Sequence, residues 1–255
     1  MTSLSRLFKP FADFLTENRC LICGKGRKLI CQECEEKIAP LRQSVCPFCL
    51  KITSFGHTCS DCQLKHALKG AVVGFDYQNK AVSTIIKASK YPPFLYPLLA
   101  KLTNHLKSFF ADQSFYENYF KTNDFTIMPI PLSKQKIAER GFNQSEIIAS
   151  GLQKMLELKL DSKNLVKHKD TISQVNLNIK NRKTNIKNSF SVINHQALKN
   201  KKILLVDDLI TTGATIEEAA KTLKRAGAQE VWALALARNL RPRSSPPMNS
   251  PKEKN

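Results

Sequence analysis

The chain has 255 residues, of which 42% are hydrophobic, so it can form one medium-sized domain together with a small one. Its 40 Lys and Arg residues against 21 Asp and Glu residues give a formal net charge of +19. This charge indicates polyanionic partners or phosphorylated ligands; a basic surface that only aids solubility is the alternative. The sequence excludes a membrane-spanning helix and a P-loop nucleotide site, because it has neither an apolar run near ~20 residues nor a G-x-x-x-x-G-K-[ST] motif.

The first 19 residues are predicted to form an amphipathic helix. Apolar residues recur there at helical spacing, at Leu4, Phe8, Phe11 and Leu15. Interspersed charges exclude a secretory signal, so we expect a cytoplasmic protein. Packing of this helix on the protein body is favoured over a membrane-surface anchor.

Eight cysteines occupy residues 20–62 and form four C-x-x-C pairs, which predict a double zinc ribbon over residues 20–66. The ligands are Cys20, Cys23, Cys31, Cys34, Cys46, Cys49, Cys59 and Cys62. In a cytosolic protein such pairs indicate two closed, structural zinc sites of four thiolates each, rather than disulfides or redox thiols. Each C-x-x-C pair is a zinc knuckle. We favour sequential pairing, in which the first knuckle shares a metal with the second and the third with the fourth. The spacing leaves open a cross-braced pairing of the first with the third and the second with the fourth. His57 and His66 are not needed as ligands and are expected at the surface.

Beyond the cysteines, the pattern predicts alternating strands and helices. Residues 71–77 read as a strand, followed by a helix to Lys90 and a second helix over 96–110. Lys87 and Lys90 are expected on a solvated face at the end of the first helix.

A further strand over residues 125–131 leads into a basic loop that ends at Arg140. Three basic residues supply positive charge there: Lys134, Lys136 and Arg140. They are expected to bind a phosphate group, in addition to the phosphate site predicted below after Asp208. Asn143 is then predicted to cap the next helix.

Residues 163–202 contain ten Lys and Arg residues but a single acid, Asp170. Within them, the Asn- and Gln-rich segment 170–188 predicts a mobile loop. Such a loop suits an active-site lid or a nucleic-acid contact.

The most informative stretch is a buried strand at residues 203–206 that ends on Asp207 and Asp208. A hydroxyl- and glycine-bearing loop follows, and Thr215 with Glu218 matches a capping box at the start of a helix. Free backbone N–H groups and a positive helix end predict a phosphate site, with carboxylates beside it for sugar hydroxyls or hydrated Mg²⁺. The plainer alternative is an ordinary strand-to-helix turn. A last strand is predicted over 231–237, and a disordered tail over 239–255.

The string from Asp207 to Thr215 resembles the phosphoribosyl-pyrophosphate (PRPP) motif of type I phosphoribosyltransferases. The resemblance implies that Asp207 and Asp208 are the catalytic acids that hold the ribose hydroxyls. The 5′-phosphate loop would comprise Leu209, Ile210, Thr211, Thr212, Gly213, Ala214 and Thr215.

Together with P-I-P-L…E-R-G-F-N-Q-S-E at residues 129–146 and T-I-S-Q at 171–174, this string is similar to the ComF family of bacterial competence proteins. The resemblance implies an α/β fold of the type I phosphoribosyltransferase kind over residues 70–238. Its mostly parallel sheet would be flanked by helices and preceded by a small zinc-ribbon domain with four-cysteine metal sites. Family proteins commonly have arginine where Lys169 stands, and lysine lacks the bidentate geometry of arginine.

The same resemblance implies roles for individual residues. The pyrophosphate loop would include Pro131, Leu132, Ser133, Lys134 and Arg140. The flexible loop would include Thr171, Gln174 and Arg182. Single-stranded DNA would bind the basic residues Lys180, Arg182, Lys183 and Lys187.

Two functions follow as expectations. In the first, the protein binds PRPP with Mg²⁺ and acts in natural transformation on incoming single-stranded DNA, with competence-machinery proteins as possible partners. In the second, it is an active phosphoribosyltransferase on an unidentified nitrogen acceptor and has no DNA role. A PRPP pocket alone does not establish turnover.

Overall fold

The computed structural model describes residues 19–168 and 186–240, and the account below is confined to them. Several expectations therefore lie outside the described residues. They concern the N-terminal helix, nearly all of the tail, and the loop residues Thr171, Gln174, Lys180, Arg182 and Lys183.

A five-stranded parallel sheet forms the centre of the main domain, in the order β1-β7-β6-β2-β3. A separate antiparallel pair, β4-β5, lies beside it. This architecture confirms the predicted α/β fold with a parallel sheet flanked by helices. The strands are β1 Gly70–Asp76, β2 Phe125–Pro129, β3 Lys159–Leu160, β4 Leu165–Lys167, β5 Phe190–Val192, β6 Lys202–Ile210 and β7 Glu230–Arg238.

Nine α-helices lie in the described residues: α1 Gln32–Glu36, α2 Ser60–Gln63, α3 Lys80–Lys90, α4 Pro97–Asn104, α5 Leu106–Asp112, α6 Ser114–Thr122, α7 Lys134–Arg140, α8 Gln144–Leu156 and α9 Ala214–Arg225. The helix predicted over 96–110 is divided into α4 and α5. At the junction, the His105 N–H donates to Leu102 O, one residue closer than in a regular α-helix. None of the helices in this part of the chain is both long and apolar enough to cross a membrane.

Both faces of the sheet are buried, which explains the uninterrupted apolar run in β6. Leu204 and Val206 pack on one side with helices α3 to α6 and α8. Ile203 and Leu205 point to the other side and pack against α9. Alternate residues of one strand thus serve two cores, as the predicted buried parallel strand requires.

The Cys-rich region packs on this domain rather than standing apart from it. Cys20 and Cys34 are buried in the same core as α4 and α5. Glu35 pairs with Lys101 of α4 at 2.6 Å and contacts His105 at 3.2 Å. The first two zinc knuckles are therefore attached to the face of the sheet that α3 to α6 and α8 cover.

Candidate functional site

The eight cysteines form two groups of four, and the grouping follows the order of the sequence. Cys20, Cys23, Cys31 and Cys34 form one group, and Cys46, Cys49, Cys59 and Cys62 form the other; within each, the sulfurs lie within 4.8 Å of one another. The Sγ atoms are 3.7 Å apart for Cys23 and Cys31, and 3.5 Å apart for Cys49 and Cys59. Tetrahedral zinc with Zn–S bonds of about 2.3 Å needs sulfurs roughly 3.8 Å apart. Both groups fit zinc, in the sequential pairing that was favoured from the linker-like gap between Cys34 and Cys46.

In each group, one buried cysteine has a lowered pKa, which favours its thiolate form. Burial raises the pKa of Cys20, but backbone N–H groups outweigh it and bring the pKa to about 6. The same balance lowers the pKa of Cys46 to about 7. Burial and the neighbouring thiols raise the pKa of Cys34 to about 12. A zinc ion held by these cysteines would offset the repulsion between sulfurs, because its charge would stabilise all four thiolates.

Asp207 and Asp208 lie in the last part of β6, at the carboxyl edge of the sheet where ligands bind in open α/β folds. The pairing of β2 with β6 ends at Val206, directly before this acid pair. Asp207 Oδ1 accepts hydrogen bonds from Ser145 Oγ at 3.0 Å and from the Asp208 N–H at 2.9 Å. Helix α8 thus contacts the acid pair through its first turn.

Lys90, the last residue of α3, supplies the counter-charge. Its Nζ lies 2.8 Å from Asp208 Oδ2, and both side chains are largely buried. Burial lowers the pKa of Lys90, but Asp208 and Asp207 outweigh that effect, and the net shift is upward. Lys90 therefore stays charged. The expectation that it lies on a solvated face is wrong; Lys87, one turn away, is exposed as predicted.

The pKa of Asp207 is raised to near neutral pH by several opposing effects. Burial, and next the charge of Asp208, raise the pKa of Asp207 to about 7. Lys90 and the hydrogen bonds from Asp208 and Ser145 limit the rise. Asp207 therefore gains its negative charge as the pH rises through about 7.

A short loop, residues 211–213, follows the acid pair and leads into α9. Gly213 caps the helix with a φ of +77°, a conformation that favours glycine. Thr212 Oγ1 accepts from the Ala214 N–H at 3.3 Å, which tightens the turn. The predicted capping box of Thr215 and Glu218 does not form. The N-cap is Gly213 rather than Thr215, so the helix begins two residues earlier, and Glu218 accepts instead from the Asn188 N–H at 2.8 Å.

The segment predicted as a basic loop is mostly helical. Pro131 to Ser133 form the connection after β2, and Lys134 to Arg140 form α7. Ser133 is buried and caps this helix, with its Oγ accepting from the Lys136 N–H at 3.5 Å. Lys134 and Arg140 stand at opposite ends, about 9 Å apart along the helix axis. Arg140 Nη1 donates to Gln144 Oε1 at 3.2 Å, so it faces the start of α8.

The predicted cap of α8 is confirmed and extends to the sheet. The Asn143 side chain accepts from the Ser145 N–H at 3.1 Å. Its Nδ2 donates to Ile130 O at 3.1 Å, at the end of β2. Asn143 thus fixes the position from which Ser145 contacts Asp207.

A cavity of about 370 Å³ lies on the outer side of the 211–213 loop, away from the acid pair. Lys187 is the one predicted DNA-binding residue in the described ranges, and it lines this cavity. The second zinc ribbon forms the opposite wall, through Phe48 and His66. The sequence placed His66 at the surface; instead it stacks on Phe48 and lies 3.4 Å from Glu217.

The sequence prediction missed Lys90 and Ser145 as members of the site. Ser145 was within reach, because it belongs to the G-F-N-Q-S string that follows the second phosphate segment. Lys90 carried only the general signal of a lysine at a helix end. Its position opposite Asp208 depends on tertiary structure.

Comparison with known proteins agrees with this two-part organisation. A family described as "Phosphoribosyl transferase domain" matches residues 136–250, and one described as "Double zinc ribbon domain" matches residues 11–63. The Competence protein ComFC of Bacillus subtilis is 28% identical over 215 residues, which cover 82% of this chain and 83% of that protein.

Two further relatives extend the comparison. Competence protein ComFC of Streptococcus pneumoniae is 29% identical over 241 residues, which cover 86% of this chain and 100% of that protein. The DNA utilization protein YhgH of Escherichia coli is 34% identical over 114 residues, covering 45% of this chain and 49% of that protein. The chain thus combines a match to a double zinc ribbon with a match to a phosphoribosyl transferase domain, and over most of its length it is similar to the ComFC competence proteins.

Proposed function

We propose that this protein binds PRPP at the carboxyl end of β6 and acts in natural competence, on the cytoplasmic side, where it binds incoming single-stranded DNA. One observation carries the PRPP part of the proposal. Two adjacent carboxylates, the half-buried Asp207 and the buried Asp208, are held by Ser145 and Lys90 directly before a tight loop and the start of a twelve-residue helix. Sugar hydroxyls need acceptors, and a phosphate group needs N–H donors and a positive helix end.

In this proposal Asp207 and Asp208 accept hydrogen bonds from the ribose hydroxyls, and residues 211–215 bind the 5′-phosphate. An ionised Asp207 is the stronger acceptor, so PRPP binds more tightly as the pH rises through about 7. The pyrophosphate lies toward residues 131–134, with Arg140 completing the positive side. Mg²⁺, which keeps several waters and binds carboxylates together with phosphates, suits this donor set and would neutralise the pyrophosphate charge.

The DNA part of the proposal rests on charge and on the names of the relatives. Single-stranded nucleic acid binds positively charged surfaces, and this chain is strongly basic. The basic segment before β5 reaches the described structure at Lys187, next to the outer side of the phosphate loop. The competence role comes from the ComFC relatives, and competence-machinery proteins are the proposed partners.

Thermal unfolding with and without PRPP and Mg²⁺ tests the pocket. We expect PRPP to raise the midpoint of the wild-type protein and to have no effect on the Asp207→Asn/Asp208→Asn variant. Asp124→Asn is the matched control, because Asp124 is exposed and pairs with Lys159 away from the site. Equal stabilisation of the double variant and the wild type would refute the pocket.

The acid pair also suits the second function, transfer of the phosphoribosyl group. In that reaction the bond from C1 to the pyrophosphate oxygen breaks, and a nitrogen nucleophile bonds to C1 and loses its proton. Asp207 and Asp208 steady the positive charge that develops on the sugar. Pyrophosphate release, measured with and without single-stranded DNA, separates the two functions. Release that needs a nitrogen acceptor and ignores DNA supports the transferase alone.

A further inference from the structure

The second zinc ribbon lies close beside the phosphate loop. Pro47 and Phe48 stand between the zinc ligands Cys46 and Cys49, at the tip of a knuckle. A methyl group placed on Gly213 would lie 3.7 Å from Pro47 O and 3.9 Å from Phe48 Cε1. The knuckle thus lies close enough to Gly213, the left-handed glycine on which the loop turns, for an added methyl group there to contact it.

Glu217 ties the same ribbon to the same loop from the helix side. Its side chain is largely buried (the residue is only 7% exposed), and Oε1 and Oε2 accept from the Ala67 N–H at 3.0 and 3.3 Å. Ala67 lies in the segment that connects the ribbon to β1. The Glu217 N–H donates to Gly213 O at 2.9 Å. One residue therefore holds the end of the ribbon with its side chain and the loop with its backbone.

His66 links the two contacts. Its ring stacks on Phe48 with centroids 3.4 Å apart and planes 8° from parallel. Its Nδ1 lies 3.4 Å from Glu217 Oε1, and Lys221 Nζ lies 3.4 Å from the same oxygen. A continuous series of contacts thus runs from the second zinc site through Phe48 and His66 to Glu217 and Gly213.

The first ribbon has no equivalent among the described contacts. Its attachments include the contacts of Glu35 with Lys101 and His105 and the apolar packing of Cys20 and Cys34 near α4 and α5. The two ribbons share a knuckle sequence pattern and a ligand set, yet within the described residues only the second meets the loop. This difference provides an internal control.

We propose that Phe48 and Glu217 are positioning residues for the phosphate loop, and that zinc in the second four-cysteine site holds the loop in its phosphate-binding conformation. The ligand of the loop is that of the proposed function, on which this inference rests. The Pro47–Phe48 tip is fixed only while Cys46 and Cys49 share a metal, because so short a segment has little core of its own. If the tip is no longer fixed, the loop loses the support of the ribbon on that side.

Amide hydrogen exchange of residues 207–218 tests the proposal without PRPP, and calorimetric titration with PRPP and Mg²⁺ tests it with the ligand. We expect Phe48→Ala to speed loop exchange at least fivefold and to weaken PRPP binding about tenfold, with two zinc ions retained. Phe48→Tyr should restore both values. Ile22→Ala is the matched control, because Ile22 holds the equivalent place in the first knuckle; it should leave both within twofold.

Glu217→Gln retains the shape of the side chain but removes its charge, and should give a smaller acceleration of the same amides. Loop exchange in Phe48→Ala equal to that of the wild type would overturn the proposal. Equal acceleration by Ile22→Ala would also overturn it, since the effect would then be general. A wild-type protein that binds no PRPP would contradict the proposed function, while the exchange result would still decide the role of the ribbon.

Discussion

Lys90 Nζ lies 2.8 Å from Asp208 Oδ2, and this ion pair joins the end of α3 to the acid pair on β6. The Lys90 side chain is 23% exposed and that of Asp208 is 7% exposed, so water screens the pair only weakly. Two adjacent carboxylates in one strand would repel each other at this depth. The positive charge of Lys90 stabilises the negative charge of the two carboxylates in the site before any ligand binds.

Removal of this lysine should destabilise the protein. We expect Lys90→Met to lower the free energy of unfolding by about 2 kcal/mol, because it leaves a buried carboxylate without its counter-charge. Lys87→Met is the control: the exposed residue lies one turn away in the same helix, and its loss should cost under about 0.5 kcal/mol. Urea unfolding monitored by circular dichroism measures both; equal costs would contradict the role of Lys90.

The raised pKa of Asp207 predicts a pH-dependent stability. The pKa of the Asp207 carboxyl is about 4 in the unfolded chain and about 7 in the folded protein. Between these values the folded protein holds a proton that the unfolded chain has released, so a rise in pH favours unfolding. The free energy of unfolding of the wild type, minus that of Asp207→Asn, should fall from about pH 4.5 to about pH 7.5 and then level off. A difference that is constant, or that grows with pH, would refute the assignment.

The pairing of the zinc knuckles can be tested by metal analysis of double variants. We expect two zinc ions per wild-type chain. Cys23→Ser with Cys34→Ser should lose one, because both ligands belong to the first site, and Cys34→Ser with Cys62→Ser should lose both. Cross-braced pairing reverses these results.

The proposed DNA contact predicts a change in salt dependence. Replacing Lys180, Arg182, Lys183 and Lys187 with Gln should weaken single-stranded DNA binding and reduce the slope of log K against log salt by up to about 3, at ~0.7 per phosphate contact. Replacing four exposed lysines elsewhere gives the same charge change as a control: Lys65, Lys107, Lys154 and Lys201. Equal losses in the two variants would indicate a general charge effect and exclude a local DNA site.

Local patterns predicted the parts of the site that lie close together in the chain. The apolar run of β6, its two acids and the following turn are contiguous, so the strand, the carboxylates and the presence of a helix after the turn could be predicted from the sequence. The cysteine spacing likewise predicted two zinc sites, because each knuckle is a local unit.

Contacts between distant segments could not be predicted in this way. Lys90 and His66 were expected in solvent because their partners, Asp208 and Glu217, reach them only in the folded chain. The capping box failed because Gly213, with its positive φ, is the N-cap and starts the helix two residues early. The helical α7 was within reach, since K-Q-K-I-A-E-R consists mostly of helix formers and Gly141 ends it with a φ of +78°.

The most direct test of the account is isothermal titration calorimetry of the wild-type protein with PRPP and Mg²⁺, beside Asp207→Asn/Asp208→Asn and the control Asp124→Asn. The account predicts saturable 1:1 binding by the wild type and the control, and at least tenfold weaker binding by the double variant, a loss of about 1.4 kcal/mol or more. Absence of binding by the wild type, or equal affinity in the double variant, would contradict it.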